Sequence, residues 1–388
     1  MRRALAFAVP MLLIAAAELR AEPIFLSKQY NRCTTCHYSP TGGGLLTPYG
    51  RSLSRQELST TGRSDPTSVT GHLGQAQPES GHKEEAFLFG LLGDTLGPVD
   101  VGIDVRPSHL SLDLAGLTSD RNFFMTADLL AAWRSHGWTV YGEVGRQLRP
   151  QPDGTQASKV DSYEHWVGYQ SESGLGFRVG RFFPAYGIRL ADHSAFTRVD
   201  LGFDKYDQVY ALELSRSTEH HLLQLSFGPG PADAVINDDG RRVFTATGRF
   251  QMDLSPRTSL VFSGFYRDKS TLIPSNSAGG VAFGFAPTKH ISIWSQADAQ
   301  FQQGTSGAPA YSLLNETGVE VFRGVWLKFS PQLRTEYGNT SGGIFRLAFE
   351  ANLFPRTHWN VDVSYYRDET RTTSLVYKTF LAQLHLYL

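Results

Sequence analysis

The sequence predicts an all-β protein, a closed antiparallel outer-membrane β-barrel of about 16 strands (about 14–18), preceded by a short N-terminal cytochrome c segment. Three observations support this prediction. Apolar and polar residues alternate through many segments of about ten residues. Turn-forming residues separate these segments. Glycine and aromatic residues are abundant, with 38 Gly, 25 Phe and 16 Tyr among 388 residues, which favours strands and tight turns.

The first element is a secretory signal peptide over residues 1–21. A basic start at Arg2-Arg3 precedes an apolar run over residues 4–17 and then small residues, which is the order typical of such signals. The run is shorter than the roughly 20 apolar residues of a spanning helix. We expect cleavage after Ala21, with Ala17 as the alternative, and therefore an exported protein.

The second element contains the only two cysteines, in the motif Cys33-Thr34-Thr35-Cys36-His37. Cys-x-x-Cys-His is the attachment signature of a c-type haem. Two thiols at this spacing can form thioethers to the two vinyl groups of one porphyrin, and the next residue is then placed to bind the iron. The motif predicts one covalent haem c, attached through Cys33 and Cys36, with His37 as the proximal iron ligand.

Other uses of this motif fit less well. A thioredoxin-like dithiol requires a βαβ setting, which the surrounding sequence lacks. A structural zinc ion needs four ligands, and there is no second cysteine pair. A disulfide between Cys33 and Cys36 would close a strained loop of little structural value. The formal net charge of -1 gives no electrostatic footprint for nucleic acid, so no nucleic-acid partner is expected.

The sequence leaves the distal iron ligand open. After the signal, the only methionines are Met125 and Met252, both in segments that alternate like strands, where packing is the expected role. His72 and His82 lie in the polar stretch before the barrel and are the candidate distal ligands. A second histidine would give a lower potential than a His/Met pair. An open or water-bound iron, or a histidine from inside the barrel, are the alternatives.

The chain is therefore divided into a signal, a cytochrome c segment with its linker over residues 22–85, and a barrel over residues 86–388. Within the second part, the Pro-Gly run at 40–44 indicates a loop and residues 49–58 indicate one or two helical turns. From residue 60 to 85 there is little apolar periodicity, which indicates a linker.

Strand signals fill the rest of the chain. Alternation is clearest in residues 223–227, 344–353, 361–366 and 380–388, where one face is apolar and the other polar. Predicted turns separate the strands at Ser135–Gly137, Glu172–Gly174, Asn237–Gly240, Ser255–Pro256 and Asn339–Gly343. A β-sandwich or solenoid is the competing interpretation. The length of the alternating segments and the lack of a fixed repeat favour a closed barrel, which leaves no exposed edge.

One connection in the barrel carries an unusual group of residues. Pro184 and Gly187 should end a strand, which leaves a long loop with Arg189, Asp192, His193 and Arg198. One interpretation is an inward-folded loop that narrows the pore or contacts haem propionates through arginine. The other is an ordinary solvated loop.

Five features follow one another along the chain: the signal, Ala21–Phe25, the Cys33–His37 motif, Leu46–Arg51 and the barrel. This arrangement resembles the fused monohaem cytochrome–porins of iron-oxidising bacteria. The chain also ends on an amphipathic strand with Tyr387 penultimate, similar to the C-terminal assembly signal of bacterial outer-membrane barrels. The cytochrome–porin resemblance implies electron transfer inward from extracellular Fe(II), with an electron donor other than iron as an alternative. It implies a Gram-negative outer membrane, with the haem segment on the periplasmic side or in the barrel lumen.

Three functions follow from these observations. The first is an electron-transfer oxidoreductase, with Fe(II) oxidation as one form, whose partners are a periplasmic electron-carrier protein, an extracellular electron donor or acceptor, and outer-membrane lipid. The second is a porin whose haem has a sensing or structural role. The third is a periplasmic soluble β-protein with a cytochrome tail. One haem is much shorter than the roughly 30 Å hydrocarbon core, so electron crossing requires a haem well inside the barrel or partners that approach it closely from at least one side. We hypothesise that residues 22–85 fold up into the lumen.

Overall fold

The computed structural model describes residues 23–60, 95–96, 98–114, 116–150, 156–192, 194–203, 207–230, 242–269, 274–304 and 307–388. The signal peptide, His72, His82, His193 and the predicted turn Asn237–Gly240 lie outside these ranges. Among the described residues, no helix combines the length and apolar character needed to cross a bilayer.

The N-terminal segment, residues 23–60, consists of short helical pieces. They are a 3₁₀ turn Pro23–Leu26, α1 Cys33–Cys36, α2 Pro48–Leu53 and a π turn Ser54–Leu58. Thr47 caps α2, since its hydroxyl accepts a hydrogen bond of 3.1 Å from the Gly50 amide, and Pro48 occupies the first helical position, where no amide donor is needed. The helical turns predicted over residues 49–58 are confirmed.

All remaining regular structure apart from one short helix is β-strand. The strands are β1 Thr95–Leu96, β2 Val99–Leu114, β3 Leu117–Ser135, β4 Trp138–Pro150, β5 Gln156–Gln170, β6 Leu175–Phe182, β7 Val209–Ser217, β8 His221–Gly228, β9 Thr245–Ser255, β10 Thr258–Arg267, β11 Asn276–Thr288, β12 Ile291–Gln302, β13 Ala310–Phe322, β14 Val325–Glu336, β15 Asn339–Arg356, β16 Trp359–Thr370 and β17 Val376–Tyr387. The helix α3, Phe196–Val199, lies between β6 and β7.

The strands β2 to β17 form one closed ring. Each pairs antiparallel with the next along the chain, and β17 closes the ring on β2, with Phe380 opposite Ser111 and Tyr387 opposite Asp104. The described residues therefore build a barrel of 16 strands, which confirms the predicted barrel and its strand number. A β-sandwich would leave open edges, which a closed ring does not have.

The apolar face of each strand points outward and the polar face inward. In β8, Leu223, Leu225 and Phe227 are exposed, whereas Gln224 and Ser226 are buried. The predicted faces of residues 361–366 follow the same rule, since Asp362, Ser364 and Tyr366 are buried. The exterior also exposes Phe283, Leu313, Phe329, Phe349 and Phe380. An apolar exterior around a polar interior is the inverse of a soluble protein and suits a lipid environment.

The connections differ between the two ends of the barrel. Short turns join β3–β4, β5–β6, β7–β8, β9–β10, β11–β12, β13–β14 and β15–β16, and most connections at the other end are longer, with the longest over residues 183–208. The first residue of β2 and the last of β17 both lie at the short-turn end, as an even strand number requires. In bacterial outer-membrane barrels the short turns face the periplasm.

The predicted turn at Asn339–Gly343 is wrong. The chain turns instead at residues 337–338, and β15 already begins at Asn339. The glycines at 342 and 343 have a different role. The register between β14 and β15 shifts beside them, and Gly343 has a φ of 106°. A β-bulge that contains glycine uses this positive region of φ.

Candidate functional site

The N-terminal segment lies inside the barrel, against its inner wall. Lys28 pairs with Glu320 of β13 at 2.6 Å, and Arg32 pairs with Asp253 of β9 at 2.6 Å. Further contacts reach other parts of the ring, at Asp100 of β2, Tyr141 of β4, Glu164 of β5, Trp294 of β12, Phe354 of β15 and Tyr387 of β17. The segment therefore spans the lumen from one side of the barrel to the other.

The Cys33–His37 motif is held in a compact turn by its neighbours. The amide of His37 donates to the carbonyl of Cys33 at 2.9 Å, and the amide of Thr47 donates to the carbonyl of Cys36 at 2.8 Å. Helix α2 packs directly on the motif at Gly50, where an added Cβ would lie 2.3 Å from the Cys36 carbonyl oxygen. Glycine is needed here because two backbones come into contact.

Both thiols of the motif have a raised pKa. Both cysteines are free and partly buried. Burial raises the pKa of the Cys36 thiol to about 12, with the neighbouring Cys33 adding to the effect. Reactive cysteines have a lowered pKa instead. Among the described residues, no group of three or more His, Cys, Asp or Glu side chains could hold a metal ion.

The connection between β6 and β7 folds into the lumen. The Tyr186 hydroxyl donates to Asp298 of β12 at 2.7 Å, and the Ile188 amide donates to Gln296 of the same strand at 2.8 Å. Further along, the Phe196 amide donates to Gln332 of β14 at 3.0 Å. The prediction of an ordinary solvated loop is therefore wrong, and the loop folds inward; its contact with haem propionates stays a prediction. We refer to residues 183–203 as the inner loop.

Gly187 fixes the point where the inner loop crosses the lumen. Its φ is 50°, and an added Cβ would lie 2.5 Å from the Gln296 side chain. Its amide donates to the Ser263 hydroxyl at 2.9 Å, and its carbonyl accepts from Arg249 Nε at 2.9 Å. The left-handed conformation and the lack of space both favour glycine.

The arginines of the inner loop have different roles. Arg189 lines the cavity described below, with Nε and Nη2 buried and without a hydrogen-bond partner. Burial and then Arg198 lower the pKa of Arg189 to about 9, which keeps it cationic at neutral pH. Arg198 donates to the Leu190 carbonyl at 2.6 Å and to the Phe203 carbonyl at 3.2 Å, so it holds the loop together.

A cavity lies between the N-terminal segment, the inner loop and the barrel wall. Its empty volume, open solvent included, is about 1410 Å³. Cys33, Cys36 and His37 all line it, with Arg189 and Arg249 among its polar groups. Its apolar lining includes Leu26, Leu46, Leu53, Leu58, Ile103, Leu130, Ile188, Trp294, Phe354 and Leu388.

These residues fit a covalent haem. Two thiols and an imidazole at the attachment spacing line one mainly apolar cavity. An apolar cavity suits the large apolar surface of a porphyrin. Arg189 and Arg249 supply cations suited to the two propionate carboxylates. The Arg189 guanidinium lies over the Phe183 ring, 4.5 Å from its centroid, but its buried Nε and Nη2 have no hydrogen-bond acceptor among the described residues, and buried donors of a cation favour an anionic ligand.

The two predicted distal ligands, His72 and His82, lie outside the described residues. Met125 is 1% exposed and packs with Leu110 and Leu112, the expected packing role, and neither it nor Met252 lines the cavity. His385 and Arg249 do line the cavity, and the sequence analysis did not single them out. The strand alternation, which puts both on inward faces, was the available signal.

Comparisons with known proteins address the barrel. No family model and no curated protein matches the chain. Among solved structures it resembles the outer-membrane channel DcaP of Acinetobacter baumannii (11% identity, 76% of this chain and 99% of that chain, TM-score 0.53). It also resembles the anion-selective porin from Comamonas acidovorans (10%, 75% and 99%, 0.55) and Pseudomonas putida OprB (7%, 75% and 94%, 0.58). Identities this low show a shared fold alone.

The chain therefore has the porin fold of the Gram-negative outer membrane. Its apolar exterior suits a bilayer, and its lumen contains an N-terminal segment and an inner loop that enclose a cavity.

Proposed function

We propose that this protein is an outer-membrane cytochrome–porin that binds one haem c in its lumen and passes electrons between the extracellular side and the periplasm. The observation that supports this proposal best is that Cys33, Cys36 and His37 line one cavity inside a closed barrel. Cys33 and Cys36 would form the thioethers, and His37 would bind the iron. The haem would supply a one-electron Fe(III)/Fe(II) couple, and the chain's residues hold, orient and shield it.

The depth of the cavity determines how donors can reach it. Every wall residue that lines it lies within six residues of the short-turn end of its strand, as Asp104, Leu130 and Arg249 illustrate. Six residues at about 3.3 Å each correspond to roughly 20 Å along a strand, and less along the tilted barrel axis. The cavity is thus in the periplasmic half. An extracellular donor must be small enough to enter the other half, a condition that aqueous Fe(II) meets.

On the periplasmic side, two tyrosines connect the cavity with solvent. Tyr30 lines the cavity, and its ring lies 6.4 Å from that of Tyr49 in an edge-to-face contact. Tyr49 is 38% exposed. We propose this pair as the surface that a periplasmic electron-carrier protein contacts, because an exposed aromatic ring is a common interface residue.

The first experiment tests the cofactor. The full chain is produced in a host that matures c-type cytochromes and compared with Cys33→Ser, Cys36→Ser and the double variant. The wild type should give a pyridine haemochrome of one haem per chain and keep it on a denaturing gel. The double variant should lose all covalent haem while still showing heat-modifiable gel mobility. A colourless wild type would refute the proposal.

The second experiment separates electron transfer from the alternative of a porin with a structural or sensing haem. The protein is reconstituted in vesicles that contain a trapped electron acceptor, and Fe(II) or a non-permeant reductant is added outside. Electron transfer predicts acceptor reduction that depends on Cys33 and Cys36, with little conductance in planar bilayers because two segments occupy the lumen. High conductance without acceptor reduction would favour the porin.

A further inference from the structure

We propose that His385, in the last strand of the barrel, is the distal ligand of the haem iron. This inference rests on the proposed function and identifies a residue that closes the iron's coordination sphere. Among the described residues that line the cavity, the histidines are His37 and His385. They come from opposite ends of the chain, the first from the N-terminal segment and the second from β17.

The environment of His385 suits a histidine that binds a metal. Its side chain is 1% exposed, and its Nδ1 has no hydrogen-bond partner among the described residues. A buried polar atom without a partner is destabilising, and a ring nitrogen in the lining of a cofactor cavity gains a partner when it binds iron. Gln383, two residues earlier on the same inward face, lies outside the cavity lining.

A carboxylate lies beside the His385 ring. Asp104 Oδ1 is 3.2 Å from His385 Nε2, and the Asp104 carboxylate accepts two hydrogen bonds from Arg106, at 2.7 and 2.5 Å. Metal-binding histidines usually direct one ring nitrogen to a carboxylate, which orients the ring and makes the other nitrogen a better donor to the metal. Asp104 provides this arrangement, and it lies on β2, the strand that closes the barrel with β17.

The ring is also held by packing. Tyr387 stacks on His385 with ring centroids 4.8 Å apart, and its hydroxyl hydrogen-bonds Ser54 of the N-terminal segment at 2.8 Å. The same strand thus contacts both the cavity and the segment that contains the haem motif. His385 is fixed by neighbours on two sides before any cofactor binds.

The three tyrosine hydroxyls in the cavity lining already have partners. Tyr186 donates its hydroxyl to Asp298 at 2.7 Å, Tyr387 bonds Ser54, and the Tyr30 hydroxyl contacts that of Tyr49 at 3.3 Å. Methionine is absent from the described residues that line the cavity. Two histidines predict a low-spin, bis-imidazole iron with a lower potential than a His/Met iron.

The test compares His385→Ala with His358→Ala in the full-length, haem-loaded protein. His358 is the matched control: it is 4% exposed and also packs on Tyr387, with ring centroids 5.7 Å apart, but it does not line the cavity. Ferric absorption and electron paramagnetic resonance spectra should show low-spin iron in the wild type and His358→Ala, and high-spin iron in His385→Ala. Added imidazole should restore the low-spin spectrum of His385→Ala.

A second variant distinguishes loss of the iron ligand from loss of folding. His385→Met retains a side chain that can bind iron and should raise the reduction potential, and heat-modifiable gel mobility reports whether each barrel is assembled. An assembled His385→Ala protein with an unchanged low-spin spectrum would overturn the inference, as would conversion to high spin by His72→Ala or His82→Ala. Either result leaves covalent haem in place, whereas absence of haem from the wild type would instead refute the proposed function.

Discussion

Arg178 of β6 forms a buried ion pair within the barrel wall and also donates a hydrogen bond to the inner loop. Its Nη2 lies 3.0 Å from Glu213 Oε2 of β7, and each side chain is 2% exposed. The same nitrogen donates to the Phe183 carbonyl at 3.1 Å, and the guanidinium lies 3.9 Å from the centroid of the Phe182 ring. Replacement of Arg178 therefore removes a charge, a hydrogen bond to the loop and a ring contact together.

The expected effect of Arg178→Met is a large loss of stability. Removal of one partner leaves Glu213 as an uncompensated buried charge, which costs about 3–5 kcal/mol, and the lost bond to the Phe183 carbonyl is part of that change. The double variant Arg178→Met with Glu213→Leu replaces the pair by apolar side chains, a change that is often neutral. We expect the double variant to recover to within about 2 kcal/mol of the wild type.

Urea unfolding and refolding of the barrel in detergent or vesicles, followed by heat-modifiable gel mobility and tryptophan fluorescence, measures these free energies. The control is Lys378→Met, which breaks an exposed pair with Asp113, 3.3 Å apart with side chains 49% and 32% exposed. Such a pair contributes about 0–1 kcal/mol. Two results would contradict this role of Arg178. One is an Arg178→Met variant that loses no more unfolding free energy than the control, and the other is a double variant that is as unstable as the single one.

Three further predictions test the exterior, the inner loop and the cavity. Phe349→Arg, in the middle of the lipid face of β15, should destabilise the assembled barrel by about 2–4 kcal/mol, whereas Phe322→Arg beside a short turn should cost about 0–1 kcal/mol; equal urea midpoints would contradict the assigned faces. Gly187→Val should displace the inner loop and raise single-channel conductance, and Gly142→Val, which has no atom within 4 Å of its added Cβ, should leave conductance unchanged. Arg189→Gln should lower the haem reduction potential, because a cation disfavours Fe(III), by about 40 mV for a change of about 1 kcal/mol; an unchanged potential in redox titration would place this charge away from the haem.

Much of the barrel was predictable because a strand has a period of two. In a membrane barrel that period separates lipid-facing from lumen-facing residues, so the faces of residues 344–353 and 380–388 could be assigned without knowing strand partners. Turn signals were less reliable. Glycines at 342 and 343 indicate only that the backbone bends, and a bulge beside the turn at 337–338 uses the same residues as a hairpin turn.

The site was predictable only where its chemistry is local. The Cys33–His37 spacing is a local requirement, so it can be found from sequence. His385 and Arg249 reach the cavity only through closure of the ring, which no short window of sequence contains. The inner loop did carry an overlooked signal: Phe183, Tyr186, Ile188, Leu190 and Phe196 are too apolar for a solvated connection, and all are buried.

The closure of β17 on β2 around the N-terminal segment has a consequence for biogenesis. Cytochrome maturation enzymes must reach both thiols of an extended polypeptide. Cys33 and Cys36 lie inside the barrel once β17 has paired with β2. Under the proposed function, porphyrin ligation therefore precedes insertion, and the periplasm must keep a long, unpaired chain of strands unaggregated while the thioethers form.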